Sequence, residues 1–170
     1  MDASLTDDAA LAIEILEERW AIVSPRNLPY HILLLGKLID RVTAQHVRTL
    51  ADLSLAEWRA MAHIDYLKVC SAREIANLAF VDPAEVSRAV RSLEERGLVR
   101  REVNPTNRKA SIVSLTKEGQ AVHKTIRGER GQYFEDWVTD LSETDREELY
   151  VMLRNIIRRI VTKAPQTIDS

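Results

Sequence analysis

The 170-residue sequence predicts a mainly α-helical fold with one small β-hairpin. Three observations carry this expectation. Ser54 to Glu57, Ser71 to Glu74, Asp82 to Glu85 and Ser142 to Asp145 each pair a side chain able to accept backbone N–H bonds with an acid one helical turn on, the form of a capped helix start. Apolar residues recur at helical spacing near the C-terminus, as Phe134, Trp137, Val138 and Leu141 and again as Leu149, Leu153, Ile156 and Ile160. In an otherwise helical chain, "LVRREV" and "SIVSL" read as strands on either side of "NPTNRKA", which holds a Pro-Asn turn and two adjacent cations.

Taken in order, a first helix is expected over about 6 to 20, acidic and amphipathic, with the stripe Ala9, Ala12, Leu16 and Trp20. "SPRNLP" breaks it, and a long apolar helix follows over about 29 to 50. Shorter helices are expected at about 54 to 68, 71 to 79 and 83 to 96. Pro83 suits the first position of the last of these, where its missing N–H does no harm, and Gly97 ends it. After the hairpin, Thr116 starts a helix to about 140 and Ser142 starts another to about 162.

Composition excludes several classes. With 45% hydrophobic and 29% charged residues the chain is not of the disordered type. The longest apolar run, "ILLLGKLI", is interrupted by Lys37 and too short to span a bilayer, which needs ~18 residues, so no membrane partner is expected. The acidic N-terminus lacks the cationic head of a secretory signal, and the single Cys70 permits no intrachain disulfide; a cytoplasmic setting is expected. His31, His46, His63 and His123 show no metal-ligand spacing, so neither a metal nor a cofactor is implied. A glycine-rich phosphate loop and a nucleophile elbow are both missing, and the expectation is that the protein is not an enzyme.

Net charge is −2, yet its distribution is uneven. Acids dominate residues 1 to 20, while Arg88, Arg91, Arg96, Arg100, Arg101, Arg108, Lys109 and Lys117 outnumber Glu94, Glu95 and Glu102 over 87 to 117. Such a local basic segment suits a surface that meets phosphate, the alternative being a solvated charged surface. The helix at 83 to 96 divides into an apolar face, Val86, Val90 and Leu93, and a small, cationic one, Ala84, Ser87, Arg88 and Arg91. Small residues let a backbone approach a DNA major groove, and Arg offers a planar fork to guanine O6 and N7 or to phosphate. With the helix at 71 to 79 and the tight connection before it, this segment reads as a helix-turn-helix.

Residues 53 to 119, from "LSLAEWRAMAHI" through "SAREIANLAFVDPAEVSRAVRSLEERGLVRREVNPTNRKASIVSLTKEG", resemble the MarR family of winged helix-turn-helix transcription regulators. The most specific part is "VSRAVRSLEERGLVRR" followed by a turn, an Arg and "VSLTKEG". The resemblance implies a winged helix-turn-helix lobe plus a helical dimerisation region. Its expected parts are an N-terminal arm (1–27), a first dimerisation or scaffold helix (28–53), the DNA-binding lobe (54–117) and C-terminal dimerisation helices (118–170). It further implies a homodimer on a pseudo-palindromic double-stranded DNA operator. Ser87, Arg88 and Arg91 are expected at the major groove, with Ala84 allowing close approach, and Ser71 and Arg73 at phosphates. Where the family's wing usually carries Asp then Arg, this chain has Asn107 and Arg108; Arg108 is expected in the minor groove and Lys109 on phosphate.

The family often binds a small aromatic or anionic effector near its dimerisation helices. Tyr30, His31, Trp58, Arg59 and His63 are the expected contacts, because a cation and an imidazole beside apolar walls suit an aromatic carboxylate, a phenol or a thioester of such an acid. The ordinary alternative places Trp58 in the core and pairs Arg59 with an acid. The function expected is thus a DNA-binding regulator, a repressor released by a small ligand. Its alternatives are a helical dimeric interaction protein that reads no specific DNA, and a thiol-based redox regulator acting through Cys70, next to a helix N-terminus.

Overall fold

The computed structural model describes residues 7–22, 24 and 26–163, leaving out the side chains of Asp7, Asp8, Ala9, Ala12, Arg19, Ala21, Ile22, Arg108 and Lys109. Part of the expected N-terminal stripe, Ala9 and Ala12, therefore lies outside the described side chains. The chain forms two compact units, Met1–Gln45 and His46–Ser170.

The first unit holds α1 (Asp7–Ile22) and most of α2, which runs Leu28–Ala51. Its aromatic centre is small. The Trp20 ring lies 4.2 Å from that of His31, Tyr30 meets the same imidazole edge-on at 6.0 Å, and His31 Nδ1 sits 3.0 Å from the Asn27 carbonyl oxygen.

The second unit begins with the end of α2 and continues through α3 (Leu55–Leu67), α4 (Ala72–Ala79), α5 (Pro83–Glu95), β1 (Val99–Asn104), β2 (Asn107–Leu115), α6 (Lys117–Asp136) and α7 (Glu143–Lys163). This is the mainly α fold with a β-hairpin that the sequence predicts. Ser54 and Ser71 accept from Glu57 N and Glu74 N, and each acid accepts the serine N–H in return. Asp82 accepts from Ala84 N and Glu85 N, and Ser142 and Asp145 exchange the same pair of bonds as the first two caps. Each such cap stabilises its helix by ~1 kcal/mol.

Met61 and Ile64 of α3, Ile75 of α4, Val90 and Leu93 of α5, Val113 of the hairpin and Ile126 of α6 form one buried cluster with Val47 and Leu53. At ~1.5–3 kcal/mol for each large apolar side chain removed from water, this cluster holds the lobe together. The strands pair antiparallel from Val99 opposite Leu115 to Val103 opposite Ser111. Cys70 adds a short bridge to the hairpin, its N–H donating to Val113 O at 3.2 Å and its carbonyl accepting from Val113 N at 2.7 Å.

Two elements differ from expectation. The second strand begins at Asn107 rather than near Ser111, because Asn104 Oδ1 accepts from Thr106 N at 2.9 Å and reverses the chain at Pro105 and Thr106. The first C-terminal helix ends at Asp136, not near 140, so Trp137, Val138 and Leu141 occupy a turn instead of extending a helical stripe. Arg146 holds that turn: its guanidinium donates to Val138 O at 2.8 Å, to Leu141 O at 3.2 Å and to Glu135 Oε2 at 2.7 Å. A cation bonded to the Val138 and Leu141 carbonyls satisfies backbone groups of the turn that a continued helix would have paired internally.

Candidate nucleic-acid interface

The helix-turn-helix is built from its caps inward. Ser71 starts α4, which stops at Phe80, a residue held at φ 53° where a glycine would be more usual. Val81 N donates back to Ala76 O at 3.2 Å, and Asp82 then caps α5. The turn is therefore Phe80 to Asp82.

Helical spacing sets which face of α5 is left outside. Val86, Ala89, Val90 and Leu93 are buried in the lobe, and Ala84, Ser87, Arg88 and Arg91 are all exposed. The exposed face is small near the helix start and cationic along its middle, as expected from the sequence. Arg91 lies in a surface pair, Nε 3.0 Å from Glu95 Oε1. An exposed pair of this kind is worth ~0–1 kcal/mol and can be exchanged for a phosphate contact at little cost.

The expected phosphate contacts at α4 differ in availability. Arg73 is exposed, whereas the Ser71 hydroxyl is engaged in the cap, accepting from Glu74 N at 3.2 Å and donating to Glu74 Oε2 at 2.8 Å. On the wing, the register slips after Val103, with Asn104 facing Asn107, so Arg108 and Lys109 fall on the irregular stretch of β2 just past the tip. A bulge at a strand end turns the chain sharply and re-aims its side chains. The side chains of Arg108 and Lys109 lie outside the described residues.

Other cations of the basic segment have internal work. Arg96 donates to Ala51 O at 3.0 Å and Asp52 O at 2.9 Å and lies 3.7 Å from Glu57 Oε1, which also accepts from Ser92 Oγ at 2.7 Å. Arg101 pairs with Glu94 at 3.0 Å and fastens the wing to the end of α5, and Arg100 Nε donates to Ser114 Oγ at 2.8 Å. Sequence reasoning counted Arg96 and Arg101 towards the charged surface and missed Glu57 and Ser92. Glu57 was visible only as a capping acid; its reach to Ser92 and Arg96 joins distant segments and leaves no local signal.

The expected effector contacts fall in both units, Tyr30 and His31 in the first, Trp58, Arg59 and His63 in the second. Trp58 is buried, stacked on His123 with centroids 5.2 Å apart and with the Arg130 guanidinium carbon 5.5 Å from its ring centre, so it joins α3 to α6 as core. Arg59 and His63 share a half-buried face of α3. Burial first, and then the Arg59 charge, push the His63 imidazole below its ordinary range and favour its neutral form. Beside Arg59, the crevice bounded by Ile75 and Val81 holds only about 10 Å³, room for no more than a water.

The structure gives the thiol-sensor alternative no support. Cys70 is 2% exposed, and burial, with the nearby Glu74, pushes its thiol up to about 11, which favours the protonated form.

A helix with a small, cationic outer face, presented by a helix-turn-helix and followed by an antiparallel wing, defines a winged helix-turn-helix lobe. Residues 51–110 match the model of the MarR family. A curated relative, the uncharacterized HTH-type transcriptional regulator YdgJ of Bacillus subtilis (strain 168), is 19% identical over 144 residues, covering 83% of this chain and 88% of the relative. Among solved structures, apo MarR from E. coli aligns with a TM-score of 0.66 at 22% identity over 76% of this chain and 95% of that one. A cysteine-to-serine mutant of the same protein complexed with operator DNA gives 0.63 at 23% identity, over 76% and 98%. A MarR/EmrR family transcriptional regulator from Acinetobacter sp. ADP1 gives 0.73 at 18% identity, over 81% and 96%. At these identities the solved structures speak for the fold. The fold is that of the solved MarR structures, and among the described residues no helix is long and apolar enough to cross a membrane.

Proposed function

We propose that the protein is a sequence-specific, homodimeric DNA-binding regulator, a cytoplasmic repressor released from a pseudo-palindromic operator by a small aromatic acid or its thioester. The observation that carries this reading is the split of α5, with Val86, Ala89, Val90 and Leu93 inside and Ala84, Ser87, Arg88 and Arg91 outside. In it, α5 enters the major groove, Ala84 allows the approach, and Ser87, Arg88 and Arg91 meet base edges and adjacent phosphates. Ser71 and Arg73 flank the groove on the phosphate backbone. Arg108 enters the minor groove and Lys109 meets phosphate.

Dimerisation is supported by α7, which has no buried residue although Leu149, Leu153, Ile157 and Ile160 line it. A helix with so much exposed apolar surface needs a partner. Arg59 and His63 remain the proposed anchor for the effector, and its release of DNA requires that it favour a lobe spacing unsuited to consecutive major grooves.

The test is fluorescence anisotropy with a duplex from the protein's own upstream region and a shuffled duplex of equal composition. The reading expects the native duplex to bind at least ~10³-fold tighter at near-physiological salt. Equal, salt-sensitive affinity for both would favour the interaction-protein alternative.

A further inference from the structure

Three helix ends meet on one side chain in the second unit. Arg96 closes α5 with its backbone, its N–H donating to Ser92 O at 3.1 Å, while its guanidinium reaches back to the end of α2. There Nη2 donates to Ala51 O at 3.0 Å and Nη1 to Asp52 O at 2.9 Å, and Nη1 lies 3.7 Å from the Glu57 carboxylate that caps α3. We infer that Arg96 is a positioning residue: its two-carbonyl fork fixes the angle between the end of α2 and the recognition helix α5, and thereby the half-site spacing that a dimer accepts. The spacing part of this inference rests on the proposed function; the fork itself does not.

The end of α2 is built to need such a partner. It stops where Asp52 turns to φ 51°, left-handed backbone that favours glycine and that Asp tolerates better than most residues. Asp52 N donates to Arg48 O at 2.9 Å and Leu53 N to Val47 O at 3.4 Å. The Ala51 and Asp52 carbonyls come after these, and the planar fork of Arg96 takes both. Two bonds from one rigid plane fix orientation as well as distance, which a single ammonium does not. Glu57, itself held by Ser54 N and Ser92 Oγ at 2.7 Å each, keeps a carboxylate beside that plane.

Leverage gives the joint its consequence. Ala84 lies ~18 Å from Arg96 along the axis of α5, at ~1.5 Å per residue. A swing of ~10° about Arg96 moves that end by ~3 Å, close to the ~3.4 Å rise of one base pair. Ser87, Arg88 and Arg91, the proposed groove contacts, ride on the same rod.

The experiment measures anisotropy on the protein's own upstream duplex and on duplexes with one or two base pairs inserted between the footprinted half-sites. The native chain is compared with Arg96→Gln and Arg96→Lys, and with Ile126→Ala, a core truncation in α6, which takes no part in these bonds. Arg96→Lys retains a charge beside Glu57 and carries the test should Arg96→Gln not fold. The native chain is expected to lose at least ~100-fold on insertion. Both Arg96 variants should lose under ~10-fold with an unchanged salt slope, and Ile126→Ala should keep the native ratio. Amide exchange, read without DNA, should be at least ~10-fold faster at Asp52 and Leu53 in the Arg96 variants and unchanged there in Ile126→Ala. A native spacing ratio in either Arg96 variant, the same flattening in Ile126→Ala, or unaltered exchange at Asp52 and Leu53 overturns the inference. A native chain that prefers none of these duplexes over a shuffled one retires the proposed function and the spacing claim with it. The exchange result alone then decides whether Arg96 holds the end of α2.

Discussion

The carboxylate of Glu57 accepts from Ser54 N at 2.7 Å and Ser92 Oγ at 2.7 Å and lies near Arg96, so one side chain ties the start of α3 to the end of α5. Burial alone would raise its pKa, but the Ser92 and Ser54 hydrogen bonds and the Arg96 charge outweigh it and hold the group below the usual range. Its contribution is therefore present at neutral pH and is lost as the pH falls from the ordinary carboxylate value near ~4.5 through the lowered one. Glu57→Ala is expected to cost ~2–4 kcal/mol in urea unfolding, with Glu57→Gln intermediate; a loss under ~0.5 kcal/mol would contradict this role. Gly119 acts by absence: an added Cβ would overlap the Leu98 carbonyl, where α6 leaves the hairpin beneath the bond from Thr116 N to Leu98 O. Gly119→Ala should thus destabilise the lobe by ~1–3 kcal/mol, measured the same way.

Acid acts at a second place, through His123 and His63. Burial is the main cause of the lowered range of both, opposed by Asp65 and reinforced by Arg127 and Lys68 at the first, and reinforced by Arg59 at the second. The unfolded chain takes up these protons near pH ~6.5, before the folded one, so stability falls as pH drops through that value. The thermal midpoint should decline between pH ~7.5 and ~5.5, and His63→Gln/His123→Gln should flatten that decline even if it lowers the baseline.

At the scale of elements, the wing is the part most exposed to test. Arg108→Ala is expected to weaken operator binding by ~1–3 kcal/mol without altering the assembly. Unchanged affinity would remove the wing from the interface. Most element starts were legible because capping is local: Ser54, Ser71, Asp82 and Ser142 each act within one turn of themselves. Element ends were less so. The stop of α6 depends on Arg146, which follows the turn it holds, and the early start of β2 depends on an Asn104 side chain bonding Thr106. The candidate interface on α5 was legible for the same reason its helix was, since a period of 3.6 sorts Val86 and Val90 from Arg88 and Arg91 with no knowledge of partners. The Glu57 junction and the Arg96 fork were not, because each joins segments distant in sequence.

For the whole molecule, the exposed apolar residues of α7 and the proposed DNA reading belong to one account. Ile157 is 60% exposed and Ile160 61%, an arrangement a lone chain gains nothing from. Ile157→Asp/Ile160→Asp should give monomers in light scattering and lose most operator affinity, while its circular dichroism stays helical. A dimeric double variant would separate α7 from the interface.

The central claim, that two copies of α5 and its wing read one pseudo-palindromic site, is tested most directly by hydroxyl-radical footprinting of the full chain on its own upstream region. The account predicts two symmetric protected patches with centres ~34–36 Å apart, one turn of the duplex, flanked by shorter minor-groove protections from the wings. Diffuse protection with no fixed boundary, or a single unpaired patch, would contradict it.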